Sequence, residues 1–313
     1  MDDASAPLRR VLVIKLGALG DFVQAMAPAA AIRAFHRAAS ITLLTTAPFA
    51  ELGRAAPYFD QVWLDDRPGL TDPLGLWRLR RRLRDGDFGR VYDLQTSDRS
   101  SFYYHLMGPG RQPEWSGIAW GASHPHNNPD RDYLHTLDRQ AEQLRLANIP
   151  MVPPLDLSWA ARDISRFGLP ASFMLLVPGS SAHRPAKRWP VDRFAELGRL
   201  MAARGILPVI VGGTAEAPLG AAILALCPEA RDLTGKSHFG DLVAFGAQAM
   251  HAVGNDTGPM HLIVAGGAPT TILYSAASDP ALTAPRGPNV TILRRDDLGT
   301  LGVEEVAATM SFR

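Results

Sequence analysis

The chain repeats one pattern in both halves: a short apolar run, a polar turn with glycine, then a stretch with helical spacing. Val11-Leu12-Val13-Ile14 opens the first half, and Phe173-Met174-Leu175-Leu176-Val177 opens the second. Short apolar runs without polar alternation read as strands buried on both faces. Parallel strands need a crossover, usually a helix, so this alternation implies an α/β fold built on parallel sheets. Further strands are expected at 41–44, 61–64, 90–94, 206–211, 269–274 and 290–293, with helices at 73–84, 133–147, 191–204, 219–226 and 240–249. At 313 residues the chain is long enough for two domains. The proline-rich run Ile149-Pro150-Met151-Val152-Pro153-Pro154 reads as a semi-rigid linker, which puts two Rossmann-like domains at 1–153 and 154–313.

Composition narrows the class of function. A formal net charge of +1 makes no global case for nucleic-acid binding. The one cysteine, Cys227, excludes an internal disulfide and fits a reducing compartment. Met1-Asp2-Asp3-Ala4 lacks the basic start of a signal peptide, and no apolar run reaches the roughly 20 residues needed to span a bilayer. A cytoplasmic protein is expected.

Ligands of open parallel sheets bind beyond the carboxyl ends of the strands. The unusual polar turns all fall there: Gly17 to Asp21 and Gln95 to Asp98 in the first half, and Ser180 to Trp189, Gly212 to Glu216, Asn255 to His261 and Ser275 to Asp279 in the second. The turn after Ile14 does not match G-x-G-x-x-G. The strand at 41–44 ends in Thr45-Thr46, not in the acidic residue that holds an NAD ribose, so a nicotinamide dehydrogenase is a poor reading. Gly17 and Gly20 allow close approach to the backbone. Asp21 reads equally as a base in a cleft or as an N-cap, since Asp21 and Gln24 have capping-box spacing.

The stretch from His251 to Gly267 carries the strongest signal. A short strand breaks at Gly254, Asn255-Asp256-Thr257-Gly258 forms a turn, and Pro259 opens a helix bearing His261. The free amides of that helix start, with its dipole, suit an anion such as a phosphate. The plain alternative is a capped strand-to-helix turn. Lys187 and Arg188 offer charge to the same phosphate, and Glu216 can accept hydrogen bonds from ribose hydroxyls. Ser180, Ser181, Gly213 and Ser275 belong to the surrounding loops. A diphosphate donor in the second domain and an acceptor in the first would suit group transfer, with Asp21 taking the proton of the attacking hydroxyl. Cationic and helix-dipole contacts would then stabilise the departing diphosphate without a metal.

Two other stretches carry weaker signals. The helix from Trp77 to Arg84 bears five arginines around Leu79 and Leu83; it reads as a solvated arginine face or as a contact with an anionic membrane surface. The segment from Gly108 to Asp132, irregular apart from a short strand-like stretch near Trp115 to Ala119, reads as a binding loop. Its His124-Pro125-His126 lacks the cysteines or carboxylates that would complete a metal site, so no metal is expected.

The chain resembles glycosyltransferase family 9, the ADP-heptose:lipopolysaccharide heptosyltransferases. The resemblance lies in the first strand running into Leu19-Gly20-Asp21, in Lys187-Arg188-Trp189-Pro190 with Phe194, in Gly212-Gly213-x-x-Glu216, and in Asn255-Asp256-Thr257-Gly258-Pro259-Met260-His261. It implies a GT-B fold, two Rossmann-like domains facing across a cleft, the first binding the acceptor and the second the nucleotide sugar. The last helix, 303–311, is then expected to pack back on the first domain. It implies inverting transfer of heptose from ADP-heptose to a lipopolysaccharide core or related glycan, with no cofactor beyond the ADP-sugar substrate. By this resemblance Asp21 is the catalytic base, Lys187, Asp256, Thr257, Gly258 and His261 are donor-site residues, and Glu216 contacts ribose or base. The acceptor would place the protein peripherally on the inner face of the cytoplasmic membrane. Lys15 stands where many members have arginine, and Ser275-Ala276-Ala277-Ser278-Asp279-Pro280 departs from the usual loop beside the donor. Transfer of a different nucleotide-linked sugar, a non-catalytic nucleotide-sugar-binding protein and a sugar-nucleotide epimerase are the competing readings.

Overall fold

The computed structural model describes residues 9–108, 110, 112–180 and 184–313. The chain forms two compact units that divide between Trp159 and Ala160, just beyond the proline run at 149–154.

The first unit contains β1 (Arg10–Ile14), β2 (Ser40–Thr45), β3 (Gln61–Leu64), β4 (Arg90–Asp93), β5 (Glu114–Gly117) and β6 (His124–Pro125). All pair in parallel, in the order β3-β2-β1-β4-β5-β6. Its helices are α1 (Leu19–Gln24), α2 (Met26–Phe35), α3 (Ala50–Ala55), α4 (Pro73–Asp85), α5 (Asp98–Met107) and α6 (Thr136–Leu146). The strand β1 is inaccessible from Val11 to Ile14, as its apolar run requires. Pro73 sits in the first turn of α4, where its missing N–H costs nothing, and the Asp72 carboxylate accepts the Gly75 N–H at 2.8 Å. The helix expected at 133–147 starts only at Thr136, because the Nδ1 of His135 accepts the Leu137 N–H at 3.2 Å and caps it there.

A buried polar network joins the ends of α2 and α6 to β4. The His36 Nε2 lies 2.8 Å from the Tyr92 hydroxyl, and Arg90 donates to that hydroxyl and to the Ala147 carbonyl, each at 3.2 Å. Burial, reinforced by the Arg90 charge, pushes the His36 pKa down to about 4. The native state therefore favours the neutral ring. The resulting stability is complete above the unfolded-state value near 6.5 and is lost as pH falls from there toward 4. The loss amounts to about 3 kcal/mol. Urea midpoints compared at neutral and acid pH should show this loss in the parent chain and not in His36→Gln. Equal pH dependence in the two would refute it.

The second unit contains β7 (Phe173–Val177), β8 (Leu207–Ile210), β9 (Arg231–Asp232), β10 (Ala252–Asn255), β11 (Thr270–Tyr274) and β12 (Val290–Arg294). These strands are again all parallel, in the order β12-β11-β10-β7-β8-β9, which repeats the order of the first sheet. Its helices are α7 (Val191–Ala202), α8 (Ala217–Leu226), α9 (Phe239–Gln248), α10 (Gly258–Ala265), α11 (Pro280–Thr283) and α12 (Val303–Ala308). The short α11 falls inside the loop expected at 275–288, capped by the Asp279 side chain. The core joins Leu176, Ile210 and Val253 to Phe194 and Leu197 of α7. Val303 and Val306 of α12 enter the same core, and α12 packs on α7. The last helix, expected at 303–311, is observed at 303–308 as α12, and its buried valines belong to the core of the second unit.

In each sheet the strand order reverses at one point, between β1 and β4 and between β7 and β10. Loops leaving adjacent strands at such a point run in opposite directions, which opens a crevice beyond the carboxyl ends.

Candidate functional site

At the switch point of the second sheet, one buried amide joins the two loops that diverge there. The Asn255 Oδ1 accepts the Trp189 N–H at 2.9 Å, and its Nδ2 donates to the Pro178 carbonyl at 2.8 Å. Asn255 is fully buried, so each of these bonds replaces water that cannot reach it. The Trp189 indole N–H donates to the Leu301 carbonyl at 3.0 Å, and the ring packs edge-on against Phe194. This anchor fixes the chain just after Lys187. The Lys187 ammonium consequently reaches Asp256, the residue after Asn255, at 2.6 Å, with the two side chains only 11% and 12% exposed.

Asp256 leads into α10. Thr257 is the extended N-cap residue, its hydroxyl makes no cap bond, and Pro259 lies in the first turn. The first amides of any helix have no intrahelical acceptor, so this start, next to a cation, is suited to a phosphate. Gly258 is the first residue of α10, and His261 is buried in the same first turn. Tyr274, at the end of β11, is buried, and burial followed by the Asp256 charge pushes its phenol well above the ordinary range.

Glu216 closes the neighbouring β8 loop. Its Oε2 accepts the Gly213 N–H at 2.8 Å. A Cβ on Gly179 would stand 2.7 Å from the Glu216 Cγ, and one on Gly212 would stand 2.9 Å from its Cβ. Those two glycines at the ends of β7 and β8 make the room that Glu216 occupies. The Arg188 Nε donates to the Ser180 hydroxyl at 3.2 Å and its Nη2 to the Ser180 carbonyl at 3.4 Å, which leaves further N–H donors on the guanidinium. It braces the β7 loop. Ser275 is buried and its hydroxyl accepts the Ala277 N–H at 3.2 Å. Ser181 lies outside the described residues.

At the switch point of the first sheet, Asp21 lies in the first turn of α1, half-buried. The N-cap of α1 is Ala18, so the capping-box reading of Asp21 and Gln24 does not hold, because the helix starts earlier than that spacing requires. Gly17 has φ +132°, and a Cβ there would meet the Phe49 ring at 2.8 Å, so this turn demands glycine. Gly20 is the second residue of α1.

Behind this turn lie groups that sequence reasoning did not select as site residues. Lys15 is buried, and its ammonium donates to the Leu94 carbonyl at 3.1 Å. Burial lowers its pKa, while the charges of Asp21 and Asp93 oppose that shift. Asp93, fully buried at the end of β4, is pushed up to about 6 by burial, against hydrogen bonds from the Gln95 and Thr96 amides at 3.1 and 2.9 Å. The Gln95 Oε1 accepts the Leu16 N–H at 2.9 Å and so ties the β4 loop to the turn that carries Asp21. The available signal was a lone charged residue closing each apolar strand. In the 108–132 loop, His126 is buried and lies 3.3 Å from Glu142, which also accepts from Asn128; this is a polar brace between the loop and α6.

The family model described as "Glycosyltransferase family 9 (heptosyltransferase)" matches residues 76–304, more than half of the chain, starting after Asp21. A lipopolysaccharide heptosyltransferase 2 of Salmonella typhimurium is 25% identical over 238 residues, covering 69% of this chain and 68% of that protein. A lipooligosaccharide heptosyltransferase 2 of Haemophilus influenzae is 32% identical over 115 residues; that match covers 35% of this chain and spans only a third (33%) of that protein. Among solved structures, the E. coli ADP-heptose lipopolysaccharide heptosyltransferase II matches with a TM-score of 0.76 at 20% identity, over 96% of this chain and 97% of that one. At that identity the likeness establishes the fold, an α/β GT-B architecture of two Rossmann-like parallel-sheet units. The chain belongs to glycosyltransferase family 9, the heptosyltransferase family.

Proposed function

We propose that this protein is an inverting glycosyltransferase that moves a heptose from ADP-heptose to a lipopolysaccharide-type acceptor. The observation that carries the reading is the junction of Lys187, Asp256 and the start of α10 at the switch point of the second sheet. An ammonium and a helix start side by side match the two negative phosphates of a nucleoside diphosphate. In this reading Glu216 receives ribose hydroxyls, and Thr257 and His261 hold the donor.

The first unit holds the acceptor. Asp21 takes the proton of an acceptor hydroxyl as its oxygen attacks the anomeric carbon of the donor sugar. The new glycosidic bond forms on the face opposite the departing ADP, whose bond to that carbon breaks, so configuration inverts. Lys187 and the α10 amides receive the charge that develops on the leaving diphosphate, and the reading calls for no cofactor. Lys15 and Asp93 lie behind Asp21 as its electrostatic support.

No helix among the described residues is long and apolar enough to cross a membrane. An amphiphilic acceptor would be met at the cytoplasmic membrane face, and the arginine-bearing α4 is the proposed contact. The test is product formation with ADP-heptose and a lipopolysaccharide core acceptor, beside a panel of other nucleotide sugars. Transfer of heptose is the expected result. Transfer from a different donor alone would replace the substrate, binding without turnover across the panel would make the protein a non-catalytic binder, and conversion of the donor sugar without acceptor would make it an epimerase.

A further inference from the structure

On the first unit, the sheet face between β2, β3 and α4 is left open. A recess of about 650 Å³ occupies it. Ser40 and Thr42 of β2 line it, with Trp63 of β3 and with Phe88, whose ring packs edge-on against Trp63 at 5.4 Å. Four arginines surround it, Arg10 at the start of β1 and Arg78, Arg81 and Arg82 of α4, against one lining carboxylate, Asp85. The Arg82 guanidinium stacks 4.5 Å over Trp63 and donates one N–H to the Leu64 carbonyl at 3.0 Å. Arg10 donates to the Gly86 carbonyl at 3.2 Å. A guanidinium carries five donors, so each retains several for another acceptor.

The helix that forms one wall also exposes apolar surface. Leu79 and Leu83 of α4 are buried, whereas Leu74 and Trp77 are 54% and 52% exposed, and Leu70 in the preceding loop is 84% exposed. Trp77 also lines the recess, with the Arg81 guanidinium 5.5 Å over its ring; a solvated arginine face accounts for the charges and not for Leu70 and Leu74.

We propose that this recess binds the phosphate-bearing headgroup of an anionic membrane lipid, with Leu70, Leu74 and Trp77 entering the acyl boundary beside it. Planar guanidiniums pair bidentately with phosphate oxygens, and the Ser40 and Thr42 hydroxyls add neutral donors. Tryptophan favours the membrane interface, and arginines beside exposed leucines are the composition of an interfacial helix. A free phosphate would use the cations and leave the apolar residues without a role. Arg10 and Ser40 begin their strands, so the recess lies toward the amino ends of β1 and β2, while Asp21 follows the carboxyl end of β1. The lipid held here is therefore a second contact, apart from the acceptor group that reacts. The inference deepens the membrane-face part of the proposed function and is independent of the transfer chemistry.

Vesicle co-sedimentation of the full chain tests it, with phosphatidylcholine alone and with added phosphatidylglycerol. The parent chain is expected to bind only the anionic vesicles. Arg78→Gln with Arg81→Gln should weaken that binding about 30-fold, from about 1 kcal/mol for each cation near an anionic surface. Both side chains are exposed, and the Arg81–Asp85 pair is a surface contact, so the fold should survive. Gln61→Trp, on the exposed rim of edge strand β3, narrows the recess and leaves every arginine in place; it should reduce the preference for phosphatidylglycerol to what the surface charge alone confers. Full anionic binding by Gln61→Trp would overturn the headgroup site while leaving the membrane contact standing. Absence of vesicle binding by the parent chain would overturn both. Binding of inorganic phosphate in the recess, with no gain from vesicles, would also overturn the proposal.

Discussion

Asp21→Asn should lower transfer roughly 100- to 10,000-fold and leave nucleotide-sugar binding unchanged. A positioned general base contributes about that much, and asparagine keeps the shape of the side chain while losing the ability to take a proton. The substitution falls in the first turn of α1, where Ala18 already serves as N-cap, so no capping bond is lost. Its structural cost falls on Lys15, a buried ammonium that loses one of its two countercharges and keeps Asp93. Single-turnover transfer measured beside an ADP titration separates the two effects. Undiminished turnover would remove Asp21 from the chemistry, and loss of nucleotide affinity together with turnover would indicate disturbed folding.

Lys187→Met should weaken ADP binding roughly ten- to a hundredfold, the worth of one hydrogen bond to a charged group. It should also destabilise the second unit, because Asp256 would remain as a nearly buried charge without its partner at 2.6 Å. Adding Asp256→Asn removes that stranded charge. The double variant is therefore expected to recover most of the lost stability and none of the lost affinity. Thermal melts and ADP titrations on the parent, both single variants and the double variant form the required cycle. Unchanged affinity in Lys187→Met would place the diphosphate elsewhere.

The local code for the fold was plain in the chain. Apolar runs such as Val11 to Ile14 and Phe173 to Val177 can be satisfied only as strands covered on both faces, and the helices between them impose parallel pairing. Boundaries were less legible, because they depend on caps. The side chain of His135 delays α6, and that of Asp279 starts α11 within an expected loop. For the site, the motifs around Asp256 and Lys187 were readable because a polar turn after an apolar strand is a local pattern. Their ion pair was not, since it joins positions 69 residues apart. Arg188 shows the same limit: its charge was legible, and its use as a brace on Ser180 was not.

By itself the sequence determined most of the strands, which turns must carry glycine, and at which sheet edge the polar residues gather, but not β6, which lies inside the expected binding loop. Periodicity, backbone freedom and the direction of parallel strands are properties of short stretches. Only the tertiary structure decided that the strand order reverses between β1 and β4 and between β7 and β10, and that Asn255 clamps the second of these points. It also decided that Lys15 and Asp93 are buried behind the turn bearing Asp21. Burial and pairing between distant segments set which charges lose water and which partner each one finds, and no single stretch of chain contains that information.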